Sequence, residues 1–147
     1  GRNIVIAAGL AMLIGVLVSW LLNRSRKSWL ELPFLVLDRG GEVIGFAYLQ
    51  PWRQRAGYQK VVETSIYLSA PATSKGFGSK LMSVLISRAK QLGIREIIAV
   101  IADRGADASI AIHKKFGFTE QGHLAKVAIR FGKPIGSYLF SLQLPKG

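Results

Sequence analysis

A long uncharged stretch near the start of the chain limits what that part of the molecule can form. Ile4–Leu22 reads IVIAAGLAMLIGVLVSWLL, nineteen residues without a charge. At about 1.5 Å per residue, a helix of this length spans the hydrocarbon core of a bilayer, which is about 30 Å thick. The stretch therefore predicts a hydrophobic, membrane-crossing helix, and the alternative is a helix buried in a soluble core.

Basic residues around this stretch predict its orientation. A basic cluster follows it at positions 24–27, whereas Arg2 alone precedes it. Under the positive-inside rule, the larger cluster stays on the cytoplasmic side. The sequence thus predicts a hydrophobic helix with its basic flank over residues 1–27. It also predicts a cytoplasmic domain over residues 28–147, anchored to the inner face of the membrane by one N-terminal span.

The composition excludes some chemistries and leaves others open. The chain has no cysteine, which removes disulfides, thiolate zinc sites and a cysteine nucleophile. Its formal net charge of +12 favours anionic partners such as a phosphorylated cofactor, nucleic acid or an acidic membrane surface. The basic residues are dispersed and follow no helix-turn-helix or RNP-like pattern. We therefore expect no nucleic acid partner, and we expect no metal.

After position 28 the pattern is that of an α/β (α+β) domain. Runs typical of strands and helices follow in the order β-β-β-α-β-α-β-β, which predicts a mixed sheet with helices packed on it. A Gly-Gly pair at positions 40 and 41 predicts that the first two strands form a hairpin. The predicted strands are Phe34–Asp38, Val43–Leu49, Lys60–Ser69, Ile94–Ile101, Lys126–Phe131 and Tyr138–Leu144, and the predicted helices are Ser79–Leu92 and Ala106–Lys115.

The turn before the first of these helices is the clearest local sign of a ligand. In Thr73-Ser74-Lys75-Gly76-Phe77-Gly78, two glycines free the backbone N–H groups at the start of the helix. Those N–H groups and the helix dipole together favour a phosphate or pyrophosphate. A plain tight turn explains two glycines equally well, so the pattern alone leaves both interpretations open.

Four segments of residues 28–147 carry a resemblance to a known family. They are GFAYLQPW, VVETSIYLSAPATSKGFGSKLM, IIAVIADRGADASIAIHKKFGF and IRFGK. In this order they resemble the GNAT N-acetyltransferases, and among these the phosphinothricin/methionine sulfoximine acetyltransferase branch. The acetyl-CoA signature of the family has the form R/Q-x-x-G-x-G/A, and Thr73 stands at its first position here. The resemblance implies a mostly antiparallel sheet flanked by helices. In this chain we expect the predicted N-terminal hydrophobic helix in the place where the family has a strand and two helices.

The resemblance implies transfer of an acetyl group from acetyl-CoA, as cosubstrate, to a primary amine without a covalent enzyme intermediate. An amine must lose a proton to become the nucleophile, and a carboxylate whose pKa burial has raised suits that task. Glu63 matches the glutamate of the family and is the candidate general base, the alternative being a solvated charge on an alternating strand. His113 is the second catalytic candidate, either as proton donor to the departing CoA thiolate or as part of the pocket wall.

The same resemblance implies that cofactor contacts come from a strand end, the glycine turn and the second helix. Backbone groups near Tyr67 and Leu68 would pair with the pantetheine arm and donate to the thioester oxygen. Ser109 lies four residues before His113, hence on the same helix face, and borders the thioester. The expected cofactor-binding residues are Tyr67, Leu68, Thr73, Ser74, Lys75, Gly76, Phe77, Gly78, Ser79 and Ser109.

The sequence says less about the residues that bind the acceptor amine than about those that bind the cofactor. By resemblance, Trp52 and Arg53 border the acceptor pocket, with Arg53 able to pair with an acceptor carboxylate, although a surface loop with a packed Trp fits equally well. Ala106 stands where the family usually has Asn, and Pro134–Gly136 where it tends to have an aromatic residue and Asp. We expect a small amino-acid-like amine as acceptor. One alternative acceptor is the amine of a protein or peptide. Another interpretation is that the chain is a catalytically impaired, membrane-associated module that binds CoA. The family often forms homodimers, so a homodimer is a possible assembly.

Overall fold

The computed structural model describes residues 4–8, as backbone, and residues 32–73 and 75–146. In these ranges the strands are β1 (Ile4–Ala8), β2 (Phe34–Arg39), β3 (Glu42–Pro51), β4 (Val61–Leu68), β5 (Glu96–Ala102), β6 (Thr119–Arg130) and β7 (Lys133–Gln143). The helices are α1 (Phe77–Gln91) and α2 (Asp107–Lys115), with 3₁₀ turns at Ala56–Tyr58 and Ala70–Ala72. The described strands form one sheet in the order β1-β2-β3-β4-β5-β7-β6, with β4 and β5 parallel and the other neighbours antiparallel. The expected mixed, mostly antiparallel sheet with helices is confirmed.

The first strand corrects the expectation for the start of the apolar stretch. Ile4–Ala8 pairs antiparallel with β2 over its whole length, so these five residues are strand and not helix. Three of the five are β-branched, which favours extended backbone. Hydrophobicity without a clear period does not distinguish a strand from a buried helix. The rest of the predicted helix, residues 9–22, lies outside the described residues. No helix in the described part of the chain is both long and apolar enough to cross a bilayer.

β2 and β3 form the hairpin that the Gly-Gly pair predicts. Gly40 and Gly41 have φ angles of 62° and 87°, which other residues rarely adopt. The Gly41 N–H donates to Asp38 Oδ1 at 2.8 Å and closes the turn. β3 then pairs with β4, with Gln50 opposite Glu63. This register decides which side chains of the two strands share a face.

The core lies between the sheet and the helices. α1 begins two residues before the predicted helix and buries one stripe of side chains at helical spacing, Leu81, Leu85 and Ala89 among them. Alternate side chains of the central strands belong to the same core, for example Val62 of β4 and Ala99 of β5. One face of the sheet is therefore covered by helix, and side chains at the intervening positions of β4 lie on the other face.

β6 and β7 form the last hairpin of the described chain. β7 includes most of the strand predicted at Tyr138–Leu144, whereas β6 begins at Thr119, well before the predicted start at Lys126. β6 lies at the edge of the sheet and is exposed along nearly all of its length. An edge strand exposed on both faces lacks the apolar alternation that marks a half-buried strand, which explains the missed residues.

Candidate active site

β4 and β5 are paired along only part of their length. Their parallel register joins Val61–Thr64 to Glu96–Ala99 and ends there. Beyond this point β4 continues to Leu68 against β3, and β5 continues to Ala102 against β7. In the described residues, the second halves of these strands are bonded to their outer neighbours and not to each other. We call the opening between residues 65–68 and 100–102 the slot.

The backbone of β4 offers hydrogen-bonding groups to this slot. Val61 and Ser69, at and just beyond the ends of β4, bond on the β3 side. Backbone groups of successive residues in a strand point to alternate sides, so the odd-numbered residues of β4 face β3. The N–H and C=O groups of Ile66 and Leu68 therefore point into the slot. Tyr67, expected to contribute its backbone, turns that backbone to β3.

The glycine turn lies beside the end of β4. Gly76 has a φ of 80° and directly precedes α1, whose first turn has no acidic residue. A Cβ on Gly78 would lie 2.7 Å from Ile112 Cδ1 and 3.4 Å from Leu68 Cδ1. Glycine thus lets the start of α1 pack closely against α2 and β4. A helix N-terminus next to an open strand end can bind a phosphate at one end of an extended ligand.

Several side chains of the turn are already engaged in the fold. The Thr73 hydroxyl donates to the Ala70 carbonyl at 2.8 Å, so it stabilises the turn. The Phe77 ring is buried in the core, which leaves its backbone to face a ligand. Lys75 is exposed. Ser74 lies outside the described residues.

Lysines surround the start of α1. Lys115, from the last turn of α2, donates to Ser79 Oγ at 3.3 Å. Lys80 Nζ lies 5.9 Å from the centre of the Phe77 ring, and Lys75 is in the turn itself. Cations at the positive end of a helix dipole are unfavourable unless an anion is present. This cluster therefore favours a polyanionic ligand at the glycine turn.

Glu63 lies on the sheet face opposite the helices. Its neighbours Val62 and Thr64 are buried on the helix side, and side chains alternate along a strand. The Glu63 carboxylate is partly buried and accepts a hydrogen bond from Gln50 Nε2 at 3.2 Å. Glu63 stands one residue before the β4–β5 pairing ends, at the closed end of the slot. Gln50 was not predicted, because only the β3–β4 register places it opposite Glu63.

Tyr67 shares the face of Glu63 and lies towards the open end of the slot. Its ring is 51% exposed and stacks on Phe46 with 4.7 Å between ring centres. Phe46 continues into an aromatic group with Phe34 and Tyr48. Partial burial, and next the Tyr48 phenol, raise the pKa of Tyr67 above its usual value. The Tyr67 hydroxyl therefore keeps its proton at neutral pH.

His113 is buried within the domain. It is 5% exposed, and its ring meets Phe118 edge to face at 4.9 Å between centres. Nδ1 lies 2.7 Å from the Ser109 carbonyl oxygen, which can only accept, so Nδ1 carries a proton. Burial lowers the pKa of His113. The imidazole is therefore neutral at pH 7, and Nε2 has no proton to give.

Trp52 and Arg53 lie directly after β3, next to the start of β4. The Trp52 N–H donates to the Val61 carbonyl at 3.2 Å, two strand positions away from the Gln50–Glu63 pair. Arg53 is exposed; its Nη1 donates to the Trp52 carbonyl at 2.8 Å, and its guanidinium lies 3.9 Å from the centre of the indole ring. A cation stacked on an aromatic ring thus stands near the Glu63 end of the slot.

A titratable pair ties the end of β5 to the last hairpin. His123 Nε2 lies 2.7 Å from Asp103 Oδ2, and the Gly136 N–H donates to Asp103 Oδ1 at 3.0 Å. The hydrogen bond with His123 is the main cause that lowers the pKa of Asp103. A Cβ on Gly136 would collide with Asp103 Oδ2 and with backbone oxygens of β6. No group of three or more His, Asp or Glu side chains in the described chain could hold a metal ion.

Comparison with known proteins gives the family. Residues 16–118 match the Acetyltransferase (GNAT) family. The mixed, mostly antiparallel sheet flanked by helices is the fold that the resemblance implies. The chain therefore belongs to the GNAT acetyltransferase family, and the resemblance read from its motifs is confirmed.

Individual relatives are similar over most of the chain. The phosphinothricin N-acetyltransferase of Alcaligenes faecalis is 35% identical over 116 residues, 79% of this chain and 59% of that protein. The L-methionine sulfoximine/L-methionine sulfone acetyltransferase of Pseudomonas aeruginosa is 34% identical over 127 residues, 86% of this chain and 72% of that protein. A crystal structure of a phosphinothricin acetyltransferase from Sinorhizobium meliloti in complex with AcCoA has a TM-score of 0.77 and 34% identity, covering 89% of this chain and 69% of that one. The chain thus spans less than two thirds of the Alcaligenes protein.

Proposed function

We propose that this chain transfers the acetyl group of acetyl-CoA to the primary amine of a small amino-acid-like acceptor, of the kind that phosphinothricin and methionine sulfoximine represent. The observation that carries the proposal is the slot, with Glu63 at its closed end and the glycine turn beside its open end. The names of the relatives support the acceptor class, and the Sinorhizobium complex with AcCoA supports the acetyl donor.

The slot and the turn suit the parts of acetyl-CoA. The pyrophosphate is anionic and would lie at the start of α1, within reach of the backbone N–H groups of residues 76–79 and the surrounding lysines. The pantetheine arm contains amides, which would pair with Ile66 and Leu68 as an added strand does. An arm that runs from the turn along β4 brings its acyl end to Thr64, beside Glu63.

Glu63 is the general base of the proposal. Its carboxylate takes a proton from the ammonium of the acceptor, directly or through one water, and the neutral nitrogen then bonds to the acetyl carbon as the carbon–sulfur bond breaks. Gln50 orients the carboxylate through its hydrogen bond. A backbone N–H of Ile66 or Leu68 would donate to the thioester oxygen, where negative charge develops. The nitrogen gives up a second proton to solvent, which leaves a neutral amide, and the departing CoA thiolate takes one proton from solvent.

We assign His113 to the wall of the pocket and not to proton transfer. A donor to the thiolate needs a proton on the nitrogen that faces the sulfur, and the neutral ring keeps its single proton on Nδ1 for Ser109. The burial of the ring against Phe118 supports a packing role. Ser109 then contributes through its carbonyl, which fixes the orientation of the imidazole.

Trp52 and Arg53 are the acceptor-binding residues of the proposal. The Arg53 guanidinium is exposed, near the Glu63 end of the slot, and offers N–H donors that can hold an acceptor carboxylate in a bidentate pair. The indole beneath it limits the directions in which the guanidinium can point. An α-amino acid would then present its carboxylate to Arg53 and its amine to Glu63.

The test measures release of CoA thiol from acetyl-CoA in the presence of phosphinothricin, methionine sulfoximine, methionine sulfone, polyamines and peptides. Because the chain has no cysteine, a thiol reagent gives no background from the protein. Glu63→Gln removes the base and keeps the shape, so we expect a loss of about 10²–10⁴-fold in kcat. Glu42→Gln, at an exposed position of the β2–β3 hairpin, is the matched control and should leave kcat unchanged.

The outcomes separate the functions. Release that depends on an amino-acid-like acceptor and falls in Glu63→Gln supports the proposal. Release with peptides alone would assign the chain to protein or peptide acetylation. Binding of acetyl-CoA without release for any acceptor would contradict the proposed enzyme and indicate a CoA-binding module.

A further inference from the structure

Thr64 holds a buried hydroxyl that the fold does not use. The residue is 5% exposed, and among the described side chains its Oγ1 is the buried polar atom without a hydrogen-bond partner. Buried polar side-chain atoms in folded proteins are nearly always hydrogen-bonded, because an unpaired one loses its bonds to water without replacement. Packing of the core therefore does not explain why a threonine, with a hydroxyl that has no hydrogen-bond partner, occupies this position.

The surroundings of Thr64 are apolar. Leu49 of β3 and Ala99 of β5 lie directly opposite it on the two neighbouring strands, and both are buried. Along β4, the side chains on the same face are those of Val62, which belongs to the hydrophobic core, and Ile66, which is partly buried and packs against it. Valine has the shape of threonine and would fit this environment without an unpaired oxygen. The hydroxyl is therefore not explained by stability.

Thr64 stands at a particular place in the sheet. It is the last residue of β4 that pairs with β5, opposite Ala99, and the slot begins at the next residue. A ligand arm that enters at the glycine turn and follows β4 ends where the strands close, which is at Thr64. The first slot-facing backbone groups beyond it are those of Ile66.

We propose that the Thr64 hydroxyl donates a hydrogen bond to a carbonyl oxygen at the acyl-pantetheine end of acetyl-CoA, either the thioester carbonyl or the nearest amide carbonyl. This inference rests on the proposed function in taking acetyl-CoA as the ligand of the slot. In the free protein the unpaired hydroxyl lowers the free energy of unfolding. In the complex the carbonyl of the ligand is its hydrogen-bond partner. Thr64 is then a ligand-binding residue that destabilises the free fold.

The test uses Thr64→Val, which removes the hydroxyl and keeps the shape, with Thr64→Ser as the matched control that keeps the hydroxyl and loses a methyl group. For Thr64→Val we expect the Tm of the free protein to rise by about 2–5 °C and the Kd of acetyl-CoA to rise roughly 3- to 10-fold. For Thr64→Ser we expect the opposite pattern, a lower Tm with a Kd within about twofold of wild type. A second pair, Thr64→Ala and Thr64→Ser, repeats the comparison without the γ-methyl group.

Two measurements distinguish the carbonyl that accepts the bond. Binding of CoA, which lacks the acetyl group, is compared with binding of acetyl-CoA by calorimetry. If both affinities fall in Thr64→Val, the acceptor is the amide. If only the affinity for acetyl-CoA falls, together with kcat, the acceptor is the thioester oxygen.

Opposite results would overturn the inference. An unchanged Kd for both ligands in Thr64→Val contradicts it, whatever the Tm does. Equal losses of affinity in Thr64→Val and Thr64→Ser also contradict it, since the hydroxyl would then not be the cause. Binding and Tm do not require turnover, so a protein that binds acetyl-CoA but transfers nothing refutes the proposed function and leaves this test intact.

Discussion

His113 gives a test in which stability and activity are expected to respond differently. The Nδ1–H of this buried ring bonds to the Ser109 carbonyl, and burial lowers its pKa below the usual value of about 6.5. His113→Asn keeps an N–H donor near the position of Nδ1, and it removes Nε2, the titration and the edge-to-face contact with Phe118. The variant thus separates packing from proton transfer.

The sign of the pH effect follows from the lowered pKa. Above about pH 7.5, one unit over the usual pKa, the ring is almost entirely neutral in both states and contributes little pH dependence. Below that value the unfolded chain binds the proton first, so the free energy of unfolding of the wild type falls as pH decreases. The fall from this group is at most about 1.4 kcal/mol per pH unit until the pKa of the folded state is reached. His113→Asn lacks this contribution, and the difference in stability between the two proteins shrinks as pH falls from 6.5.

The assay is urea unfolding of wild type and His113→Asn from pH 8 to pH 5, combined with kcat at pH 7.5. We expect the variant to be less stable at pH 7.5 by about 1 kcal/mol, from the lost ring contact, with kcat within about tenfold of wild type. A loss of 10²-fold or more in kcat, with the fold intact, would show that His113 transfers a proton and refute our reasoning. A pH-independent difference in stability would refute the neutral, buried state of the ring.

Two further predictions concern the end of β5 and the start of α1. Gly136→Ala should displace Asp103 from its hydrogen bonds and raise the pKa of its carboxyl towards the usual value, which an NMR titration measures. Gly122→Ala is the control: its Cβ would lie 3.9 Å from Leu139 Cδ1, and the pKa of Asp103 should not change. Lys115→Ala should raise the KM for acetyl-CoA roughly 3- to 10-fold at low salt and less at high salt, while Lys114→Ala serves as control. An equal effect of both lysine variants would contradict the assignment of Lys115 to a phosphate.

The fold was predictable where apolar residues recur at a regular spacing or form a run that ends at a clear turn signal. The first long helix was found from its buried stripe of Leu81, Leu85 and Ala89. The two strands around the Gly-Gly pair were found from their apolar runs and from the turn between them, although β2 is buried on both faces. Ile4–Ala8 was predicted wrongly as helix because its apolar residues show no clear period. Most of β6 was missed because an exposed edge strand has no apolar face to reveal it.

The sequence indicates individual candidate residues of the site but not which side chains lie next to one another. Glu63 and the glycine turn stand out from residue type and from the resemblance. Gln50 beside Glu63 depends on the register of β3 against β4, and the unpaired state of Thr64 depends on what surrounds it in three dimensions. The four-residue spacing places Ser109 next to His113, but the burial of the ring, on which the role proposed for His113 depends, is known only from the structure.

Because the parallel pairing between β4 and β5 is short, a ligand bound in the slot would contribute to the stability of the sheet. In the described sheet, the pairing of Val61–Thr64 with Glu96–Ala99 is the backbone seam that joins the half on the β1 side to the half on the β6 side. A ligand that bonds along Ile66 and Leu68 lengthens that seam. At a ligand concentration one hundred times Kd, binding adds about 2.7 kcal/mol to the free energy of unfolding. If acetyl-CoA is the ligand, as proposed, its concentration would therefore change how often the two halves of the described sheet separate.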